Sequence, residues 1–159
     1  MNKWLHSNYS LGLNKEFIYD KIKPRIICEK FIEVENDNLL DYKVLCFDGE
    51  PKLFYVISDR NTSEKIDFYD LNGKKLKLKH ATYENSNYEF EYSKEFNKIL
   101  KYAKILSKNF PHVRVDFYLN NKIILFGELT FFMTSGYGAF YPDEYDKILG
   151  DWLKLPKIN

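Results

Sequence analysis

The sequence predicts an α+β fold: a mainly antiparallel sheet with two main helices. Three observations point there. Short β-branched and aromatic runs sit in pairs around turn signals, DGEP at 48–51 and LNGK at 71–74. Two later segments place apolar residues at helical spacing instead. No strand leads into GxGxxG or GxxxxGK[ST], so neither a dinucleotide fold nor a P-loop is signalled.

The 159 residues suit a single domain, 1–159, with a real core. Apolar residues make up 45% and aromatic residues 18%, which excludes disorder. Twenty-four basic and 23 acidic side chains nearly cancel, so no nucleic-acid partner is expected. No apolar run is long enough to span a membrane, and MNKWLHSNYS lacks the apolar stretch of a secretion signal. Cys28 and Cys46 form no metal-binding or disulfide pattern, which predicts reduced thiols and a cytoplasmic location.

In chain order, residues 1–23 form an N-terminal helical and loop segment before Pro24. Arg25–Glu33 (RIICEKFIE) reads as a strand and ENDNLL as a loop. Strands follow at Asp41–Phe47 and Lys52–Ser58 around DGEP, and at Ile66–Leu71 and Lys74–Leu78 around LNGK. Phe96, Ile99, Leu100, Ala103, Leu106 and Phe110 then recur at helical spacing. With Ser93 as N-cap and Pro111 as stop, a helix over 94–109 is predicted. A hairpin over 113–131 comes next, then FFMTSGYGAFY as a loop. A last helix starts at Pro142, with Tyr145, Ile148, Leu149 and Trp152 on one face. The helices are expected to cover one side of the sheet.

The hairpin VRVDFYLNNKIILFGELTF carries the chemistry. Arg114, Asp116 and Tyr118 share a face of its first strand. Whether Glu128 joins them depends on the turn, because a one-residue slip exchanges faces. A two-residue Asn120-Asn121 turn separates the acids. A three-residue turn, Asn120–Lys122, pairs Leu119 with Ile123, Phe117 with Leu125 and Val115 with Gly127. It sets Glu128 opposite Arg114 and diagonal to Asp116, about 7–8 Å between backbone positions. The apolar pattern favours the three-residue turn. Two carboxylates with room for water and phosphate suit Mg²⁺, and an arginine fork suits a phosphate oxygen. The same residues also fit an Arg114–Glu128 cross-strand ion pair with Asp116 solvated at a sheet edge, and pattern alone leans that way.

RVDFYLNNKIILFGELTF resembles the last metal-binding hairpin of ATP-grasp enzymes. More narrowly, NKWL, KPRIICEKFIE, DYKVLCFDGEPK, SDR, DFYD, ILSKNFPHVRVDFY, GELTF and SGYGAFYPDEYD follow the order of the TupA-like ATP-grasp family, which is linked to teichuronopeptide and other bacterial surface-polysaccharide biosynthesis. The resemblance implies an ATP-grasp-like C-terminal lobe, ATP as substrate and Mg²⁺ as cofactor. It makes Asp116 and Glu128 metal ligands, with Thr130 third where most ATP-grasp enzymes place asparagine. It makes Arg114 the catalytic phosphate contact. Glu29, Lys30, Phe31 and Ile32 match the hinge that meets adenine, and Asp41 the acid that takes the ribose. Lys43, grouped with these nucleotide contacts, and Arg60 recur in the family's motifs. Ser135, Gly136 and Gly138 match the loop that closes near the acyl substrate. Each position also has a plain structural reading, such as an exposed strand face for Glu29, Lys30 and Lys43, or backbone geometry for the glycines.

In the family, a lobe with a lysine and a glycine-rich phosphate loop precedes NKWL, which stands here at 2–5. The expectation is therefore a metal end without its phosphate lid, completed by a second chain. The function implied is a Mg·ATP-binding segment of a carboxylate–amine ligase, acting on a carboxylate-bearing glycan or amino acid. The alternatives are a non-catalytic split or decayed remnant acting as an interaction module, and a two-carboxylate Mg²⁺-dependent nuclease.

Overall fold

The computed structural model describes residues 2–7, 20–33, 39–59 and 63–157. The elements run α1 (Asn2–Leu5), β1 (Leu40–Phe47), β2 (Glu50–Ser58), β3 (Lys65–Asp70), β4 (Lys79–His80), α2 (Lys94–Leu106), β5 (His112–Asn120), β6 (Ile123–Thr130), β7 (Phe140–Tyr141) and α3 (Glu144–Trp152). Five strands form one antiparallel sheet in the order β3-β2-β1-β5-β6, and β4 pairs with β7 in a small second sheet. The α+β expectation holds.

The β1–β2 hairpin closes on Asp48 and Gly49, at φ +52° and +75°. Two left-handed residues give the turn whose twist matches the strands, and Asp-Gly supplies them at low cost. The LNGK turn also forms, with Asp70 Oδ1 accepting the Asn72 and Lys74 amides at 2.9 Å each. The strand expected at Lys74–Leu78 does not. Beyond the turn the chain keeps an Asp70 to Lys74 hydrogen bond, a Tyr69–Lys75 bridge and a Leu76 to Phe68 hydrogen bond before leaving for the small sheet.

The expected strand at Arg25–Glu33 is corrected too. The segment runs unpaired among the described residues and is largely exposed. A period-two apolar pattern makes a strand only where another strand satisfies its backbone groups. Asn120 Nδ2 donates to the Glu33 carbonyl at 2.9 Å and links the end of this segment to the sheet.

Helix α2 begins where expected, with Ser93 Oγ accepting the Phe96 amide at 3.1 Å. It ends at Leu106, three residues early, because Asn109 is left-handed at φ +69° ahead of Pro111. Phe96, Ile99 and Ala103 pack on Tyr42, Val44, Phe54, Val56, Val113, Val115 and Phe117. Helix α3 starts at Glu144 rather than Pro142, and Leu149 packs against the opposite face with Leu45, Phe47, Leu53, Tyr55, Ile57 and Phe68. The helices thus lie on opposite sides of the sheet, not one. The central strands are apolar on both faces, and each face requires cover. Within the predicted loop 131–141, Phe140 and Tyr141 form β7, and Met133–Gly136 form a 3₁₀ turn.

Cys46 is sealed in the core, and burial pushes its thiol pKa up to about 11, whereas Cys28 is exposed. A thiol-labelling time course should show one fast equivalent in the native protein and a second only on unfolding. Two fast equivalents contradict this packing.

Candidate functional site

The β5–β6 hairpin does not turn as expected. Asn120 pairs with Ile123 around a two-residue Asn121-Lys122 turn, with both residues left-handed at φ +47° and +66°. Taken alone, this register puts the two acids on opposite faces. Further along the register shifts: Phe117 pairs with Phe126, but Val115 pairs with Leu129. Gly127 and Glu128 together oppose Asp116, which is a β-bulge on β6. The extra residue restores the parity, so Arg114, Asp116, Glu128 and Thr130 share one face. The apolar face is accordingly Leu119/Ile124, Phe117/Phe126 and Val115/Leu129.

Gly127 is what lets the bulge close. A Cβ there would stand 3.2 Å from the Asp116 carbonyl oxygen and 3.3 Å from Asp116 Cβ. Gly127→Val should therefore cost about 1–3 kcal/mol by forcing the strands apart. Denaturant unfolding measures this, and an unchanged midpoint contradicts it.

Three oxygens converge on one point. Asp116 Oδ2, Glu128 Oε1 and Thr130 Oγ1 lie 2.7, 2.9 and 2.8 Å from Arg114 Nη2. Arg114 Nε also donates to Asp116 Oδ1 at 2.7 Å, completing a side-on bidentate pair. Thr130 donates to Glu128 Oε1 at 2.8 Å. Strand β1 supplies the other side. Lys43 is in register with Asp116, pairs with its Oδ2, and lies 3.0 Å from Asp41 Oδ2. Asp116 is therefore held by two cations at once. The ion pair between Arg114 and Glu128 forms, but Asp116 is neither solvated nor at an edge: β5 lies between β1 and β6, and Asp116 is 1% exposed.

Asp41 and Lys43 are buried as well, while Glu128 is 62% exposed at the open end of the chain of charges. Burial opposes the Arg114 charge. Its hydrogen bonds to Asp116, with the charges of Asp116 and Glu128 and the neighbouring Tyr55, overcome that and hold the guanidinium pKa above its ordinary value. Counted formally, three carboxylates face two cations. The network is short of positive charge at its exposed end. Removing Lys43 leaves Asp41 and Asp116 buried with one cation fewer, so Lys43→Met should destabilise the fold by about 3–5 kcal/mol. Chemical denaturation reads that loss, and a neutral result contradicts the network as described.

Tyr55 is a neighbour the sequence did not single out. It pairs with Lys43 across β1–β2, and burial drives its phenol pKa up while Arg114 pulls it down. Counting outward from the Asp-Gly turn pairs Lys43 with Phe54; a register shift between Leu45 and Cys46 moves the partner to Tyr55, so the turn alone did not reveal it. Its hydroxyl meets Met133 Sδ at 3.6 Å, which ties the network to the loop holding Ser135, Gly136 and Gly138. Ser135 and Gly136 are left-handed at φ +54° and +79°. The space beside Gly138 is bounded by His80 Nε2 and Thr134, each 3.2–3.3 Å from where a Cβ would sit.

The structure thus joins Asp41, Lys43, Arg114, Asp116, Glu128 and Thr130, and sets the 135–138 loop nearby. Glu29, Lys30, Phe31 and Ile32 lie on the unpaired segment and are not in that network. Arg60 lies outside the described residues. Among the described residues no three His, Cys, Asp or Glu side chains gather as a metal cluster, so the donor set is two carboxylates and one hydroxyl.

Two carboxylates and a hydroxyl meeting at one guanidinium make this stretch of the sheet charged and polar rather than an apolar groove. The chain matches the family described as TupA-like ATPgrasp over residues 1–154. No curated protein and no solved structure gives a match. The match covers nearly the whole sequence, and the chain belongs to the TupA-like ATP-grasp family. No helix among the described residues is long and apolar enough to cross a membrane.

Proposed function

We propose that the chain binds Mg·ATP through this face as part of a carboxylate–amine ligase of bacterial surface-polysaccharide biosynthesis. One observation carries the reading: Asp116, Glu128 and Thr130 already converge on a single cationic nitrogen, 2.7–2.9 Å away. The donor chemistry fits Mg²⁺, being all hard oxygen. Asp116, Glu128 and Thr130 would hold the ion, which when bound would neutralise charge on the transferring phosphoryl group.

The chain's own residues do the rest. Arg114 presents a planar fork that suits a phosphoryl oxygen bidentately once its Nη2 moves off the three oxygens. Lys43 stays on Asp116 and fixes that carboxylate while Arg114 moves. Asp41 orients Lys43 from below. Glu128, the exposed member, opens and closes the site towards solvent. The loop at Ser135, Gly136 and Gly138 adjoins through Met133 and Tyr55, a suitable position for the carboxylate substrate. Groups opposing this face, needed to enclose the triphosphate, would come from further polypeptide.

Calorimetric titration with Mg·ATP tests the reading. Saturable heat is expected, weakened about tenfold or more in Asp116→Asn and Glu128→Gln, since each removes a charged donor. No heat in the wild type, alone or with the product of a neighbouring gene, contradicts it.

A further inference from the structure

A pocket of about 300 Å³ opens on the same side of the sheet, between the 131–138 loop and α3. Its walls are mostly apolar, including Phe47, Phe132, Met133, Phe140, Leu149 and Leu153. Two polar side chains, His112 and Asp146, interrupt them. The volume sits at the small end of the range for ligand sites, roughly 300–1,000 Å³, which limits the occupant to a small molecule or a side-chain-sized group.

His112 is fixed in a definite role. Its ring packs at a tilt of 33° against Phe47 with centroids 4.4 Å apart, and Nδ1 lies 3.0 Å from the Cys46 carbonyl oxygen. A carbonyl only accepts, so Nδ1 carries the proton and Nε2 presents a lone pair. Nε2 has no hydrogen-bond partner among the described residues. Burial first, and the Arg114 charge to a lesser extent, lower the imidazole pKa against the pull of the Cys46 hydrogen bond. His112 precedes Arg114 by two residues on β5, so both side chains leave the same face, about 7 Å apart along the strand. An apolar pocket holding one acceptor nitrogen and one carboxylate, beside the phosphate-handling arginine, suits an apolar molecule bearing a positively charged N–H donor.

We propose that this pocket is the subsite for the amine partner: it takes a small primary amine with an aliphatic or aromatic body, whose nitrogen donates to His112 Nε2 and faces the Asp146 carboxylate. Its place as an amine subsite rests on the ligase reading, whereas the binding itself does not. Two variants probe it without touching the charged network. His112→Phe keeps the ring contact with Phe47 and removes Nε2. Gly150→Leu adds bulk to the pocket lining, at a helical position where a Cβ meets nothing within 4 Å.

The experiment is a calorimetric titration of the full chain with L-leucinamide, with N-acetyl-L-leucinamide as the probe lacking the amine. Saturable binding of leucinamide is expected, weakened about tenfold or more in both variants, with the acetylated probe failing to saturate. Mg·ATP binding by Gly150→Leu should match wild type. Leucinamide that does not saturate overturns the proposal, as does equal binding of the acetylated probe or unchanged binding in both variants. Failure of the nucleotide reading is separate: it shows as absent Mg·ATP heat while leucinamide binding and its loss in the variants persist, which keeps the pocket as an amine site.

Discussion

One nitrogen organises this molecule's chemistry. Arg114 Nη2 stands where Asp116, Glu128 and Thr130 oxygens meet, and its neighbour Nε completes the grip on Asp116. Buried carboxylates are tolerated only with partners, and Asp116 has two, the guanidinium and Lys43. The pairing also shapes the sheet. It requires Lys43 opposite Asp116 across β1–β5, and Glu128 and Thr130 alongside across β5–β6. The first is met by the long-range pairing of β1 with β5, and the second by a local device, the Gly127 bulge that sets the register of β6.

The two faces divide the labour. One is mostly apolar and carries α2, whose aromatic contacts include Phe54 and Phe96 with centroids 4.4 Å apart. The other is split along its width, apolar beneath α3 and charged across β1, β5 and β6. Tyr55 stands at the border, its ring in the apolar cluster and its phenol influenced by Arg114, Asp116 and Asp41. Asp41, Lys43, Arg114 and Asp116 stand on β1 and β5, inner strands of the packed sheet, which holds them rigidly, whereas Glu128 and Thr130 stand on the edge strand β6.

Much of this was legible in the residues. Paired turn signals point to the antiparallel sheet, Ser93 marks the start of α2, and Arg114, Asp116 and Glu128 stand out in the hairpin, with Thr130 added by the family resemblance. Their shared face was expected for the wrong reason. A three-residue turn was read from the apolar pattern, whereas a two-residue turn and a one-residue bulge reach the same parity. Gly127 inside a strand was the available signal, since an interior glycine often marks a bulge or close backbone approach. Arg25–Glu33 misled because alternation reports a pattern of faces and says nothing of whether another strand is there to pair. The helices lie on both sides because β1 and β2 are apolar on both faces, and a continuous apolar run does not display that as alternation would.

The central claim is that the three oxygens now served by Arg114 Nη2 are a divalent-cation site. Paramagnetic broadening tests it most directly, with Mn²⁺ replacing Mg²⁺ in complex with ATP and backbone amide signals followed by NMR. The expected result is that amides of Asp116 and Gly127–Thr130 broaden first, at substoichiometric Mn²⁺, and that Asp116→Asn removes the effect. Broadening that begins instead at exposed surface acids such as Glu144 or Asp151, leaving the hairpin sharp, contradicts the account.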